Sequence, residues 1–160
     1  MDQDLYGRAS DLLREIVIEE PENFEAWVGL AKAYDRSGNI MGASEAYRKS
    51  LSLKPNQPDI WISFGNFYFR GESYQQSIST YQSALKYDPE NAKAHNNLGS
   101  AYKELGELER AASHFTTAIK FDGGYALAYR NVGDIDIRLG NFSEAIKWLG
   151  KETGVDPDNL

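Results

Sequence analysis

The 160-residue chain contains no cysteine. That excludes disulfide frameworks, thiolate metal clusters and thiol nucleophiles. Histidine is scarce too, and His95 and His114 lack metal-ligand spacing, so both read as structural. No apolar run approaches the roughly 18 residues that span a bilayer, so no membrane insertion is expected. Residues 1–10 carry acids and no apolar stretch, unlike a secretory leader. The expected compartment is the cytoplasm, or the nucleus or another soluble space. Positive charge is in deficit, with 17 Lys and Arg against 24 Asp and Glu and a net charge of −7. A general nucleic-acid binder needs a basic face to displace counterions, so nucleic acid is not an expected partner.

Catalytic patterns are missing as well. No GxxxxGK phosphate loop occurs. Asp134 and Asp136 are two apart, which on a helix points them about 200° from each other. Nothing in the sequence supports a Ser–His–Asp arrangement. No catalytic residue, metal ligand or cofactor site is predicted, and the expected function is non-enzymatic. Asn141-Phe-Ser matches a glycosylation sequon but reads as a turn.

The few prolines are informative. Of five, Pro21, Pro55, Pro89 and Pro157 fall on one 34-residue beat, with Gly123 in the remaining slot. A 34-residue period indicates a helix–turn–helix solenoid. Hydrophobic content of 41% supports a folded chain. In 34-residue rows, one column holds Trp27, Trp61, His95 and Tyr129. Three residues on come Leu30, Phe64, Leu98 and Val132, then Ala31, Gly65, Gly99 and Gly133. Three more give Tyr34, Tyr68, Tyr102 and Asp136. This 3–1–3 spacing is one face of a helix. Gly38, Gly106 and Gly140 close it, with Gly71 one place early. A second helix carries a small column (Ala9, Ala43, Ser77, Ala111, Ala145) and then a large one (Leu13, Tyr47, Tyr81, Phe115, Leu149). Small residues let two helices approach, and the large ones fill the space beside the partner. Proline stops the second helix, and Asn23 and Asn91 are candidate N-caps.

This pattern resembles the tetratricopeptide repeat (TPR) family over essentially the whole chain. The misfits are His95, Asp136, Ser77, Ser50, Glu152 and Gly123. The resemblance implies an all-α, right-handed superhelical solenoid of antiparallel helix pairs. We read 1–160 as a single domain: a half repeat at 1–23, then repeats at 24–57, 58–91, 92–125 and 126–159. Helices are expected near 4–19, 24–37, 40–53, 58–70, 74–87, 92–104, 108–121, 126–139 and 142–153.

The resemblance also implies that the first helix of each pair lines a concave, peptide-binding groove. Counting around each helix, the faces opposite the packing columns supply the candidates. These are Val28, Lys32 and Arg36; Ile62, Asn66, Phe69 and Arg70; Lys93, Asn96, Asn97 and Lys103; and Arg130, Asn131 and Arg138. Arg36, Arg70 and Arg138 share a column interrupted by Glu104. Arginine pairs bidentately with carboxylates, and apolar residues such as Val28, Ile62 and Phe69 anchor side chains. The expected ligand is a protein or peptide segment with one or two apolar anchors and acidic character. The asparagines form a candidate ladder for peptide backbone. Chaperone-binding members of the family hold a C-terminal carboxylate with a basic and asparagine clamp. Here the position that opens it holds Ile62 or Val28 in the two possible registers, so a chaperone tail is not expected.

Residues 1–23 hold seven acids against Arg8 and Arg14, so −5 of the net charge lies there. The face Ala9, Leu13 and Ile16 lacks the first helix it would normally meet. That makes it a candidate self-association surface and the chain a possible homo-oligomer. Two alternatives therefore stand beside the interaction module: a self-associating scaffold, and the regulatory array of a larger enzyme.

Overall fold

The computed structural model describes residues 2–153, with side chains for 5–151. The helices are α1 (Asp2–Glu19), α2 (Phe24–Ser37), α3 (Ile40–Leu53), α4 (Pro58–Arg70), α5 (Tyr74–Tyr87), α6 (Ala92–Glu104), α7 (Leu108–Phe121), α8 (Ala126–Arg138) and α9 (Phe142–Thr153). Among the described residues there is no strand. Pro157, Gly154 and the side chain of Glu152 lie outside this range.

Local chemistry sets the boundaries. The side chains of Asn23 and Asn91 accept from the Ala26 and Ala94 amides, as their sequence positions predict. Asn39 does the same for Gly42 at the start of α3. Gly38, Gly106 and Gly140 take positive φ near 80° and end their helices. Gly71 does not: its φ is −84°, and the left-handed residue in that repeat is Glu72 at 56°. Glu72 is the one in register with the other three glycines.

The α4/α5, α6/α7 and α8/α9 pairs close through a missing side chain, at Gly65, Gly99 and Gly133. A Cβ on Gly65 would lie 2.5 Å from Cδ1 of Tyr81, and one on Gly99 2.8 Å from Phe115. Tyr81 and Phe115 are buried in those gaps. The core runs along the array in two clusters, one around Tyr47 and Phe64 and one around Tyr81 and Phe115, with Trp61 packed against both.

A recurring hydrogen bond explains the first aromatic column. Trp27 and Trp61 each donate from Nε1 to the carbonyl six residues earlier, Pro21 and Pro55, at 2.8 Å. Tyr129 donates its hydroxyl to the Gly123 carbonyl at 3.2 Å. His95 Nε2 lies 3.0 Å from the Pro89 carbonyl. His95 therefore keeps the function of the column, a donor on a ring, although the indole is gone.

Three sequence misfits have different fates. Ser50 is buried and donates to the Tyr47 carbonyl at 2.9 Å. Ser77 is equally buried, and its hydroxyl has no hydrogen-bond partner. Asp136 finds an amide rather than an arginine: Asn141 donates to it at 3.1 Å.

Candidate functional site: the concave groove

Helices α1, α2 and α4 enclose a cavity of about 840 Å³. Its walls carry Tyr6, Ala9 and Leu13 from α1, Gly29, Lys32, Ala33, Asp35 and Arg36 from α2, and Ser63, Asn66 and Arg70 from α4. Gly29 lets α1 approach, since a Cβ there would meet Leu13 at 3.2 Å. Arg70 donates to both oxygens of Asp35, at 2.7 and 2.5 Å, and so neutralises the one carboxylate that the described residues place in the wall. Lys32 and Arg36 are exposed and have no partner among the described residues. Tyr47 also reaches the cavity, and burial pushes its phenol up to about 12, so it stays protonated.

The far end of the same groove is different. Asp134 accepts from Lys103 at 3.3 Å and pairs with Arg138 at 3.5 Å. The asparagines bond to one another. Asn131 donates to Asn96 at 2.9 Å, Asn96 to Asn97 at 3.3 Å, and Asn97 to Asn66 at 2.9 Å. Tyr81 donates its hydroxyl to the same Asn66 oxygen at 2.6 Å.

Comparison with known proteins agrees with the repeat architecture. Models described as tetratricopeptide repeat match residues 1–63 and 92–125, and one described as TPR repeat matches 65–106. The chain belongs to the tetratricopeptide repeat family. Its fold is an all-α TPR solenoid. It is similar to a crystal structure of MamA, at 23% identity and a TM-score of 0.86, over 96% of this chain and 89% of that one. It is also similar to Pseudomonas aeruginosa pilF, at 16% identity and a TM-score of 0.82, over 97% of this chain and 71% of that one. A third likeness is to YrrB, described as a TPR protein with an unusual peptide-binding site, at 21% identity and a TM-score of 0.77, over 97% of this chain and 80% of that one. At these identities the likeness is one of fold. No curated protein matches the chain.

Within the TPR array, four of the predicted groove residues share the cavity: Lys32, Arg36, Asn66 and Arg70. Lys93, Arg130 and Arg138 are exposed farther along, and Lys103 is half-buried in its ion pair. Three predicted residues need correction. Val28, Ile62 and Asn96 are 9%, 1% and 2% exposed, so they present nothing to a ligand. They occupy one column, and each is covered by the packing of successive repeats. Arg130, next in that column, is exposed. Phe69 also departs from the predicted role of groove anchor. It packs edge-on against Tyr74, ring centroids 5.4 Å apart, and against the core. The α1 surface is corrected too. Ala9 and Leu13 turn into the groove cavity, and Leu13 meets Gly29, because α1 packs directly on α2. Ile16 remains exposed at 40%.

Other cavity residues escaped the sequence reading. Gly29 and Ala33 lie one helical step from Val28 and Lys32 of the predicted face. A second cavity, about 1050 Å³, opens beside α3 and is lined in part by Ile40, Met41, Phe67 and Tyr68. Asp35 and Arg70 line both cavities, so their ion pair forms a shared wall. The two histidines also meet, which their spacing gave no reason to expect. The Pro89 carbonyl can only accept, so His95 Nε2 carries a proton and Nδ1 is bare. That Nδ1 accepts from Nδ1 of His114 at 3.2 Å. Burial, and then His95, lowers the His114 pKa. Among the described residues no group of three or more His, Cys, Asp or Glu could hold a metal ion. None of their helices is long and apolar enough to cross a membrane.

Proposed function

We propose that the chain is a non-enzymatic interaction module that binds an acidic protein segment in its concave groove, chiefly at the α1–α2–α4 cavity. One observation carries this reading. Among the described residues Lys32 and Arg36 have no carboxylate partner in the cavity wall, whereas Arg70, Lys103 and Arg138 are paired to carboxylates within the array. Unpaired cations on a concave surface draw acidic ligands, and charge-assisted bonds hold them. YrrB supports the reading as a TPR array with a peptide-binding site. Affinity capture with the native chain and with a Lys32→Glu/Arg36→Glu variant tests it. An unchanged set of captured proteins would sink it.

A second reading, self-association, is favoured by apolar side chains on both flanks of the array. Leu5, Leu12 and Ile16 on α1 are exposed, as are Leu127 and Ile137 on α8 and Phe142 and Ile146 on α9. Exposed apolar patches mark interaction surfaces. Light scattering decides: a strict monomer at high concentration rules the scaffold reading out.

A further inference from the structure

We propose that α1 pairs with the α1 of a second copy of this chain, antiparallel and around a two-fold axis, through the stripe Leu5, Ala9, Leu12 and Ile16. This rests on the self-association reading and names the surface and the geometry that carry it.

The stripe is written in the spacing. Steps of 4, 3 and 4 residues place all four side chains on the line along which one helix packs lengthwise on another. Leu5, Leu12 and Ile16 are 65%, 64% and 40% exposed, and Ala9 is half-buried at the edge of the groove cavity. A contiguous apolar stripe in water marks an interface. Glu19 holds the next place on the line and ends it. Asp11 lies about 130° around the helix, so its charge faces away.

The repeat columns show how α1 departs from the other second helices. In later pairs this face meets the first helix of the same pair. His114, in the column of Leu12, stacks on His95 and Tyr102 of α6, and Trp148 meets Tyr129 of α8. The column of Ile16 holds Ser50, Ala84 and Ala118, all fully buried. Those residues are small because the two helices of a pair approach closely there. Isoleucine at that place keeps a neighbour at the wider spacing of interleaved side chains, so α1 is not shaped for the kind of helix that covers α3, α5 and α7.

A second copy of α1 fits instead. Antiparallel pairing sets Ala9 against Leu12 of the second copy and Leu5 against Ile16 of the second copy, and symmetry repeats each layer. Ala9, the small residue, then faces a large one. The same register sets Arg8 beside Glu15 of the second copy, again twice, and both residues are exposed. Parallel pairing would stack Ala9 on its own copy, leave a gap, and set Arg8 beside Leu13. The surface is its own complement, so pairing stops at two copies. One short helix buries little area, which makes the dimer weak and dependent on concentration.

Sedimentation equilibrium on the whole chain, from micromolar to millimolar, tests this. The expected result is a monomer–dimer equilibrium with no larger species. Leu12→Glu should abolish the dimer, and because Leu12 is exposed the helical circular dichroism should be unchanged. Arg8→Glu and Glu15→Arg should each weaken the dimer at least about tenfold, through two lost pairs and the repulsion that replaces them. The double swap Arg8→Glu/Glu15→Arg should restore it. Ile146→Glu on α9 should leave it unchanged. Single variants without effect, or a double swap that restores nothing, overturn the antiparallel register. A dimer that survives Leu12→Glu and is lost with Ile146→Glu overturns the pairing through α1 and leaves the self-association reading standing. A strict monomer at millimolar concentration overturns both.

Discussion

The two ends of the groove are built from equivalent positions and have opposite electrostatic outcomes. Around α2 and α4, Lys32 and Arg36 have no partner among the described residues, and Asn66 faces an open cavity. Around α6 and α8, Lys103 and Arg138 share Asp134, and Asn96, Asn97 and Asn131 satisfy one another. The difference arises from single substitutions within repeat columns. Asp134 stands in the column of Lys32 and Asn66. A carboxylate there gives nearby cations an internal partner, whereas a lysine there adds another unpaired cation. On the proposed reading one end receives an outside ligand, while the side chains of the other pair with one another across repeats.

The contrast can be broken most forcefully at the open end. Lys32→Glu with Arg36→Glu should weaken partner binding by about 100-fold or more, from the loss of two charge-assisted bonds plus repulsion. Reversing Arg138 should cost far less, since that residue already serves Asp134. Calorimetry on the captured partner compares the two, and equal losses would erase the distinction between the ends.

The closed end should respond in stability instead. Asn96→Ala removes the middle of a buried amide relay and strands the groups of Asn97 and Asn131. It should cost about 2–3 kcal/mol in urea unfolding.

The histidine pair gives a smaller, pH-dependent effect at that same end. His114 titrates below its ordinary value because it is buried and faces His95. The unfolded chain therefore takes up its proton first as the solution is acidified. The pair's contribution is complete above the ordinary histidine pKa of about 6.5 and is lost as pH falls through the lower, folded value. Thermal unfolding from pH 7.5 to 5 should show this loss. His95→Trp keeps a donor for the Pro89 carbonyl and should reduce the loss only in part, because burial, the larger cause, remains.

Ser77→Ala sharpens the comparison from the opposite direction. It removes a buried hydroxyl that makes no bond, beside the Tyr81 anchor of Asn66. A gain of about 1 kcal/mol is expected, with partner binding unchanged. A loss of stability would mean that the hydroxyl has a role the geometry does not show.

Periodicity made much of this legible in the sequence. The prolines and glycines mark where helices stop, and the helix limits follow them to within two residues. Lys32, Arg36, Asn66 and Arg70 were reachable by counting around a helix. What counting misses is the neighbouring repeat. Val28 and Ile62 face away from Trp27 and Trp61 on their own helices, yet repeat stacking covers them. The pairing of Arg70 with Asp35, and of the asparagines with one another, depends on side chains a full repeat apart. The contact between His95 and His114 depends on the register of α6 against α7. Single-helix periodicity carries no information about these distances.

The bond from each ring donor to the carbonyl six residues earlier has a consequence for how such a chain can change. It spans only six residues, from the loop that ends one repeat to the helix that opens the next, so each of these inter-repeat loops is fastened to the helix that follows it. The loops are therefore seams. A gene could duplicate or delete a whole 34-residue unit there and leave every remaining fastening intact. The donor itself varies among indole, imidazole and phenol, as Trp61, His95 and Tyr129 record.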